Sequence, residues 1–575
     1  MLSRQRISII TLLALSFAIL LTVQSVRAVS PPAQGCTTDA NTGITTCAFY
    51  VMANEDDAGT RPECDYLVYS TDIYFGQCNG SGISIVNGFI FRNVSLPIPA
   101  GQSILSSYAE FTVDGPYGPN TITANIYGQA STSPNSFSGS SATDITNRPT
   151  VSPTAQWIIP STNTTHNMGD PWNLGDIRRT PDVTSILTAI VGSGWQNNNS
   201  IALLFKNMTA NPLSSRRVTA KDRAGELPAR LVFRVGEIPK PSVSYYWQST
   251  TTSNNTTIID PVILEKKAKT EAQRNQSVLV ILDFGSTVYN GTNIGSKLVS
   301  TTTYVSTSAL LNGAKTYIQK FIQYSSPNSY LWLGVGTNNT GDMMCTITTA
   351  SNHGQAWALM MNDLQTWVVQ QGYDSIVKVS GANDFESWAG KKLKCGNQLR
   401  DPSPPQNALA WAQSYSTNTD VILINYGAVD STAIGLGDSQ WGGETYWQLA
   451  WGIPEAYPLP EIYSPAGGNA TNWQNLARMS AICTGCLPEQ WATNPNWTKG
   501  RNMQFLGMLT NYGEQRCSSQ ANPPKQGWLQ LYRKLTVDVI TDGVFPKYSS
   551  DITFEDQDAH GGNPHPTADT CPPVP

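Results

Sequence analysis

Two carboxylates and an amide fall within four residues of one another in the stretch SIVKVSGANDFESW, residues 375–388. Asn383, Asp384 and Glu386 follow a short apolar, β-branched run (Ile376, Val377, Val379) that breaks at Gly381. A buried strand that ends in carboxylates is how a (β/α) barrel builds an active site, because such sites sit at the C-terminal ends of the strands. Paired carboxylates are also what glycosidic-bond hydrolysis requires, one as general acid and the other as nucleophile or base. An Asp and a Glu just after a strand serve equally well as a helix cap and a solvated turn. The pair therefore needs partners from elsewhere in the chain.

The second half supplies elements able to bring them. Continuous apolar strands are read at 277–284, 330–335, 376–379 and 421–426. Two closely spaced strands are read at 447–451 and 459–463, and another at 503–509. Amphipathic helices fall between, at 309–324, through Trp357, Leu364, Trp367 and Val368, at 406–415, at 473–479 and at 527–535. Such alternation means a parallel sheet. Seven or eight units over ~300 residues favour a TIM-like α/β barrel over an open doubly wound sheet. The expected strand ends carry Asp283; Thr337, Asn338 and Asn339; Asn383, Asp384 and Glu386; Tyr426 and Asp430; Glu455, Glu461 and Tyr463; and Asn511, Tyr512 and Glu514. A barrel gathers these ends on one rim. Apolar walls there raise one carboxyl's pKa while a hydrogen-bonded neighbour stays ionised. Trp388, Trp441, Trp447, Trp451 and Tyr463 are candidates for those walls and for a sugar platform.

The expected roles are Glu386 as general acid/base, Asp384 orienting it and Glu461 as the opposing carboxylate. Asp283, Asn383, Tyr426, Trp451, Tyr463 and Glu514 are the candidate substrate-binding residues. No GxGxxG, P-loop or GxSxG elbow occurs, which counts against nucleotide binding and an α/β-hydrolase triad. No cofactor is expected. The four histidines, His166, His353, His560 and His565, do not have metal-ligand spacing, so no metal is expected either.

The N-terminus suggests export. Arg4 and Arg6 precede an apolar run from Ile7 to about Val23, and Val26-Arg27-Ala28 offers a cleavage site. Residues 1–28 read as a signal peptide, too short in its apolar run for a spanning helix. Removing Arg4, Arg6 and Arg27 takes the formal net charge from −5 to −8. No basic stripe recommends a nucleic-acid partner. Ten cysteines in an exported chain read as disulfides, with Cys36–Cys47 and Cys64–Cys78 the simplest pairs and Cys345–Cys395 joining neighbouring loops. Cys483 and Cys486 read as disulfide-forming, with Cys517 as a candidate partner of one of them.

Residues 29–235 read as an antiparallel β-sandwich. Ala109, Phe111 and Val113 share one face of a strand, and Ile122, Ala124 and Ile126 share a face of another, with turn residues GPYGPN between. Residues 236–260 read as a linker (IPKPS, then STTTSNNTT), 261–548 as the barrel and 549–575 as an acidic Pro/Gly-rich tail.

FIFRNVSLPIPAGQSILSSYAEFTVD (89–114), TAQW (154–157), and RRTPDVTSILTAIVGSGW with NNSIALLFKN (178–207) resemble secreted bacterial β-sandwich modules of the carbohydrate-binding, DNRLRE-related kind. The resemblance implies the fold and leaves the ligand open. Trp157, Trp172 and Trp195 are then either glycan contacts or core. Residues 275–545 look like a glycoside-hydrolase-type barrel of no assignable family, on the strength of the strand-end acids and the Asp384-x-Glu386 pattern. Together these imply an extracellular, monomeric two-part protein acting on a polysaccharide or peptidoglycan. The alternative is a surface scaffold whose barrel only binds glycan.

Overall fold

The computed structural model describes residues 34–555 and Cys571, except for residues 62, 79–82, 118–119, 161–171, 211–213, 224, 389–392, 396–397, 401–403, 431, 433–440 and 483–498. The expected signal peptide, Cys483, Cys486, His166, His560 and His565 lie outside the described residues.

Eight parallel strands in chain order form a nearly closed barrel. They are β1 (Ser242–Tyr246), β2 (Ser277–Tyr289), β3 (Tyr330–Asn338), β4 (Val377–Asp384), β5 (Leu423–Asn425), β6 (Ala456–Pro458), β7 (Gly507–Thr510) and β8 (Tyr548–Phe554). Each of the first seven leads into a helix: α1 (Pro261–Ala272), α2 (Thr307–Tyr324), α3 (Ile347–Gln370), α4 (Pro405–Asn418), α5 (Gly443–Trp447), α6 (Gly468–Ile482) and α7 (Pro524–Val537). Closure between β6 and β7 runs through the residues just after β6. Leu506 N donates to Pro458 O (3.0 Å), Leu509 N to Pro460 O (2.8 Å) and Ile462 N to Leu509 O (2.8 Å). β8 pairs with both β1 and β7.

The pleat divides each strand between two environments. Leu279, Ile281, Trp332, Ala382, Ile424, Tyr426, Leu459, Leu509, Tyr548 and Ile552 fill the interior, drawn from six of the eight strands and from the residues just after β5 and β6. Val278, Val280, Leu282, Leu331, Leu333, Val377 and Val379 face the helices in a separate, larger cluster. The strand in the first apolar run is thus buried on both sides, which is why it reads as continuous rather than alternating.

Several boundaries differ from the sequence reading. The expected linker 236–260 contains β1, and the expected tail from 549 contains most of β8. Their sequences, SVSYY and YSSDITF, are too polar to read as barrel strands. The serines are used inside: Ser244 and Ser550 share a hydroxyl hydrogen bond (2.8 Å), and Ser242 Oγ donates to Leu279 O (2.6 Å). Residues 447–451, expected as a strand, are helical: α5 passes into a π-turn, Gln448–Gly452, before β6.

Residues 34–236 form two antiparallel sheets face to face. Between them Phe75 meets Phe111 and Trp157 edge-on, Phe89 meets Phe205 edge-on, and Phe111 stacks on Trp157. Ala109, Phe111, Val113, Ile122, Ala124 and Ile126 are all buried, as their alternation requires. Trp157, Trp172 and Trp195 belong to this core, and Trp195 Nε1 donates to Ser200 O (3.0 Å).

The sandwich docks on the end of α7. Val537 packs against Ala48, Tyr108 and Val232. Arg179 bridges Glu110 Oε2 (2.9 Å) and Asp542 Oδ2 (2.8 Å) and donates to Thr536 O (2.8 Å), while Arg234 also reaches Asp542 (2.7 Å). Disulfides join Cys36–Cys47, Cys64–Cys78 and Cys345–Cys395 as expected. Cys517 pairs with Cys571, not with Cys483 or Cys486. No described helix is long and apolar enough to cross a membrane.

Candidate active site

β4 ends in Asp384, and the chain leaves the barrel wall at Phe385 to present Glu386. Glu461 follows β6, two strands along the wall from β4, where it bridges Leu509 of β7. One carboxylate oxygen from each of Asp384, Glu386 and Glu461 lies within 4.8 Å of the others. Asp384 and Glu461 are each only 4 % exposed, so little water screens the three. The same oxygens are close enough to hold one cation.

Three acids this close cannot all stay ionised. Glu461 carries the strain: burial raises its pKa well above the ordinary 4.5, and the Glu386 and Asp384 charges raise it further. Tyr463 opposes this in part, donating its hydroxyl to Glu461 Oε1 (2.6 Å). Glu386 is held differently. Ala428 N donates to its Oε1 (3.2 Å) from the turn after β5. Its backbone is clamped by Asn339, which accepts from Glu386 N (3.2 Å) and donates to Glu386 O (2.8 Å). Trp388 Nε1 donates to the same Asn339 Oδ1 (2.5 Å). Trp388 sits at φ +49°, a left-handed conformation uncommon for a bulky residue. The turn is tight because Gly427 passes Phe385: a Cβ at Gly427 would stand 2.4 Å from Phe385 O.

The floor is polar and dry. Asp283, at the end of the fully buried part of β2, accepts from Gly285 N (2.7 Å), and burial lifts its pKa to about 6. Tyr426 lies beside it and donates to Thr337 O (3.1 Å). Tyr246, from β1, feels the charges of Glu461, Asp384 and Asp283. Burial raises the phenols of Tyr246, Tyr426 and Tyr463 well above 10, so each stays a hydrogen-bond donor.

Of the residues singled out in the sequence, Asp283, Asp384, Glu386, Tyr426, Glu461 and Tyr463 meet at this mouth. Glu514 stands past β7 at the same end, accepting from Asn511 Nδ2 (3.2 Å). Asn383 does not join them. Neighbours on a strand face opposite sides, so it turns away from Asp384, and its amide is buried without a hydrogen-bond partner among the described residues. Trp451 is also misplaced by the sequence reading. It is buried in the outer core, donates to Gly500 O (2.9 Å) and stacks under Lys499. Trp441 and Trp447 share that core. Glu455 precedes β6 and contacts Ser416 near the end of α4, at the opposite end of the barrel. Tyr246 was missed because β1 itself was read as linker. Asn339 was seen at a strand end, but its role as the clamp on Glu386 had no sequence signal.

No family model and no curated protein matches the chain. Among solved structures it is similar to a Clostridium thermocellum endo-1,4-β-D-xylanase, CBM22-1–GH10 modules complexed with xylohexaose. That likeness has 10 % identity and a TM-score of 0.24, and covers 86 % of this chain and 96 % of that one. A Bacteroides ovatus GH5 xyloglucanase, in complex with a XXXG heptasaccharide, is similar at 9 % identity and a TM-score of 0.23, over 65 % of this chain and 88 % of that one. A Bifidobacterium bifidum α-N-acetylgalactosaminidase is similar at 8 % identity and a TM-score of 0.23, over 87 % and 92 %. These structural neighbours are glycoside hydrolases, the first with a carbohydrate-binding module; the barrel and its mouth rest on their own strand pairing and distances.

Proposed function

We propose that the chain is an extracellular glycoside hydrolase acting on a polysaccharide or cell-wall glycan, with the sandwich as an appended module. The observation that carries this reading is the meeting of Asp384, Glu386 and Glu461 within 4.8 Å at the barrel mouth. Glu461 is the group best suited to hold a proton at neutral pH, because burial and the charges of both neighbours oppose its charged form. This exchanges the roles expected from sequence: Glu461 is the general acid and Glu386 the nucleophile, with Asp384 and Tyr463 adjusting the charge between them.

The chemistry balances as follows. Glu461 gives its proton to the glycosidic oxygen as the bond to the anomeric carbon breaks. A Glu386 carboxylate oxygen bonds to that carbon. Glu461, now a carboxylate, takes a proton from water, whose oxygen displaces Glu386 and restores both groups. Carboxyls roughly 5–5.5 Å apart favour this double displacement over direct attack by water, which needs a gap of roughly 6.5–9.5 Å. Trp388 and Tyr463 flank the acids and offer apolar faces to a sugar ring.

The test is the configuration of the first-formed product. Proton NMR of a polysaccharide digest should show the anomeric configuration retained, and a 2-fluoro glycoside should label Glu386 in the intact protein. Inversion, or a label on any residue other than Glu386, would overturn the assignment.

A further inference from the structure

A cleft of about 920 Å³ opens between the sandwich and the closed end of the barrel. Asn502 and Gln504 line it from the chain just before β7, and Ile540, Val544 and Phe545 from the chain between α7 and β8. These segments stand at the N-terminal ends of the strands. The cleft therefore lies at the opposite end of the barrel from Asp384, Glu386 and Glu461. The sandwich closes it with Asn41 and Thr42, at the tip of the hairpin between Gly35–Thr38 and Thr45–Tyr50.

The walls are polar but almost uncharged. The side chains of Asn41, Asn502 and Gln504 are exposed and make no hydrogen bond to another described residue. Each amide offers two donors and an acceptor to whatever enters. Asp542, the one acid in the wall, is already held by Arg179 (2.8 Å) and Arg234 (2.7 Å) and accepts from Gly543 N (2.8 Å). Lys547 is exposed, with its ammonium 5.6 Å from the Tyr548 ring centroid, so water solvates it without a counter-ion. The floor is apolar. Ile540, Val544 and Phe545 are half-buried, and Phe545 meets Trp528 and Tyr532 edge-on, which fixes its ring.

The backbone that carries these groups is already ordered. Asp39 Oδ1 accepts from Asn41 N (2.7 Å) and Thr42 N (3.2 Å), and Asp39 O accepts from Gly43 N (2.8 Å). Ile540 N donates to Asp538 Oδ1 (2.9 Å), and Tyr548 N to Leu506 O (3.0 Å). Little of the site has to be ordered on binding, which keeps the cost of binding low.

We propose that this cleft binds a neutral oligosaccharide of roughly two or three sugar units. Its hydroxyls pair with the amides of Asn41, Asn502 and Gln504, and the C–H face of a ring lies on Phe545 and its apolar neighbours. A charged ligand finds no unpaired acid and no buried base among the described residues of the wall. The site draws on both parts of the chain, so it exists only where the sandwich is docked. It stands whether or not the mouth hydrolyses glycan.

The experiment is calorimetric titration of the full chain carrying Glu386→Gln, which leaves the ligand intact. The probes are the neutral trisaccharides cellotriose, xylotriose, mannotriose and triacetylchitotriose, with trigalacturonate as the charged control. At least one neutral trisaccharide should bind saturably. Asn502→Ala with Gln504→Ala, two exposed side chains whose loss leaves the core intact, should weaken one binding event at least about tenfold. Asn41→Trp, which fills the cleft from the sandwich side, should weaken the same event and keeps the test open if the double variant folds poorly. A second event that these changes leave alone belongs to the mouth. Loss of the cleft event in variants that still hydrolyse glycan in the Glu386 background separates this site from the hydrolytic reading. No saturable binding of any neutral trisaccharide, no event altered by either set of changes, or equal binding of trigalacturonate at the altered event would overturn the proposal.

Discussion

Replacing Glu461 by Gln should make the protein more stable, and increasingly so as the pH rises. Two unit charges at the outer limit of the acids' spacing, 4.8 Å, repel by about 3.5 kcal/mol at an effective dielectric constant of 20. The native protein avoids much of this by keeping a proton on Glu461, whose pKa burial and the Glu386 and Asp384 charges raise well above 4.5. A raised native value means the folded state holds a proton that the unfolded chain has released. The stability so contributed is complete below about 4.5 and is lost as the pH climbs toward and through the raised value. Gln keeps the shape and an acceptor for Tyr463 without the charge. Part of the repulsion is already relieved by protonation, so the gain at pH 8 should be about 1–3 kcal/mol, a rise of a few degrees in Tm. Melting curves of wild type and Glu461→Gln at pH 5 and pH 8 read this directly and need no substrate. A difference that is the same at both pH values, or a variant that melts lower at pH 8, would refute the electrostatic account of the mouth.

Other expectations concern the supports. His353 is buried with Nδ1 accepting from Trp411 Nε1 (2.9 Å) and Nε2 facing Gly295 O (3.0 Å), and burial lowers its pKa to about 4. Its neutral form is the one the fold prefers, so about 3 kcal/mol of stability should disappear as the pH falls from 6.5 to about 4; urea midpoints across that range should fall less in His353→Gln than in wild type. Gly427→Ala should push the Ala428 turn off Glu386 and lower kcat at least about tenfold, with KM changed far less; unchanged kcat would show the turn to be adaptable. Asp542→Ala strips Arg179 and Arg234 of a shared partner and should cost about 3 kcal/mol, seen by calorimetry as the sandwich and barrel transitions separating. Trp451→Phe should lower Tm through lost packing and leave KM alone.

How much of this was legible depended on how polar each strand was. SVLVILDF and the run before Gly381 are buried on both faces, so apolarity marked them and the acids behind them could be placed on one rim. Asp283, Asp384 and Glu386 followed from that alone, whereas Glu461 came from a strand read at 459–463 that the structure places at Ala456–Pro458. β1 and β8 escaped because serines interrupt their inward faces and bond to neighbouring strands, a pattern that looks like linker until its partners are known. Losing β1 lost Tyr246. Trp447 and Trp451 favour strands by type, but here they line a helical turn whose packing against the outer helices overrides propensity. The proton's position was beyond the sequence: it depends on how burial and the neighbouring charges combine at each acid, a property of distances rather than of residue type.

The central claim is that the Asp384, Glu386 and Glu461 mouth hydrolyses glycosidic bonds. The purified protein should be assayed for reducing ends released from a panel of polysaccharides and peptidoglycan, beside Glu386→Gln and Glu461→Gln. Hydrolysis of at least one substrate by wild type, lost in both variants while their melting stays cooperative, is the predicted result. Hydrolysis that survives both changes would contradict the assignment of the acids. No hydrolysis of any substrate, with glycan binding that both variants retain, would make the barrel a binding protein.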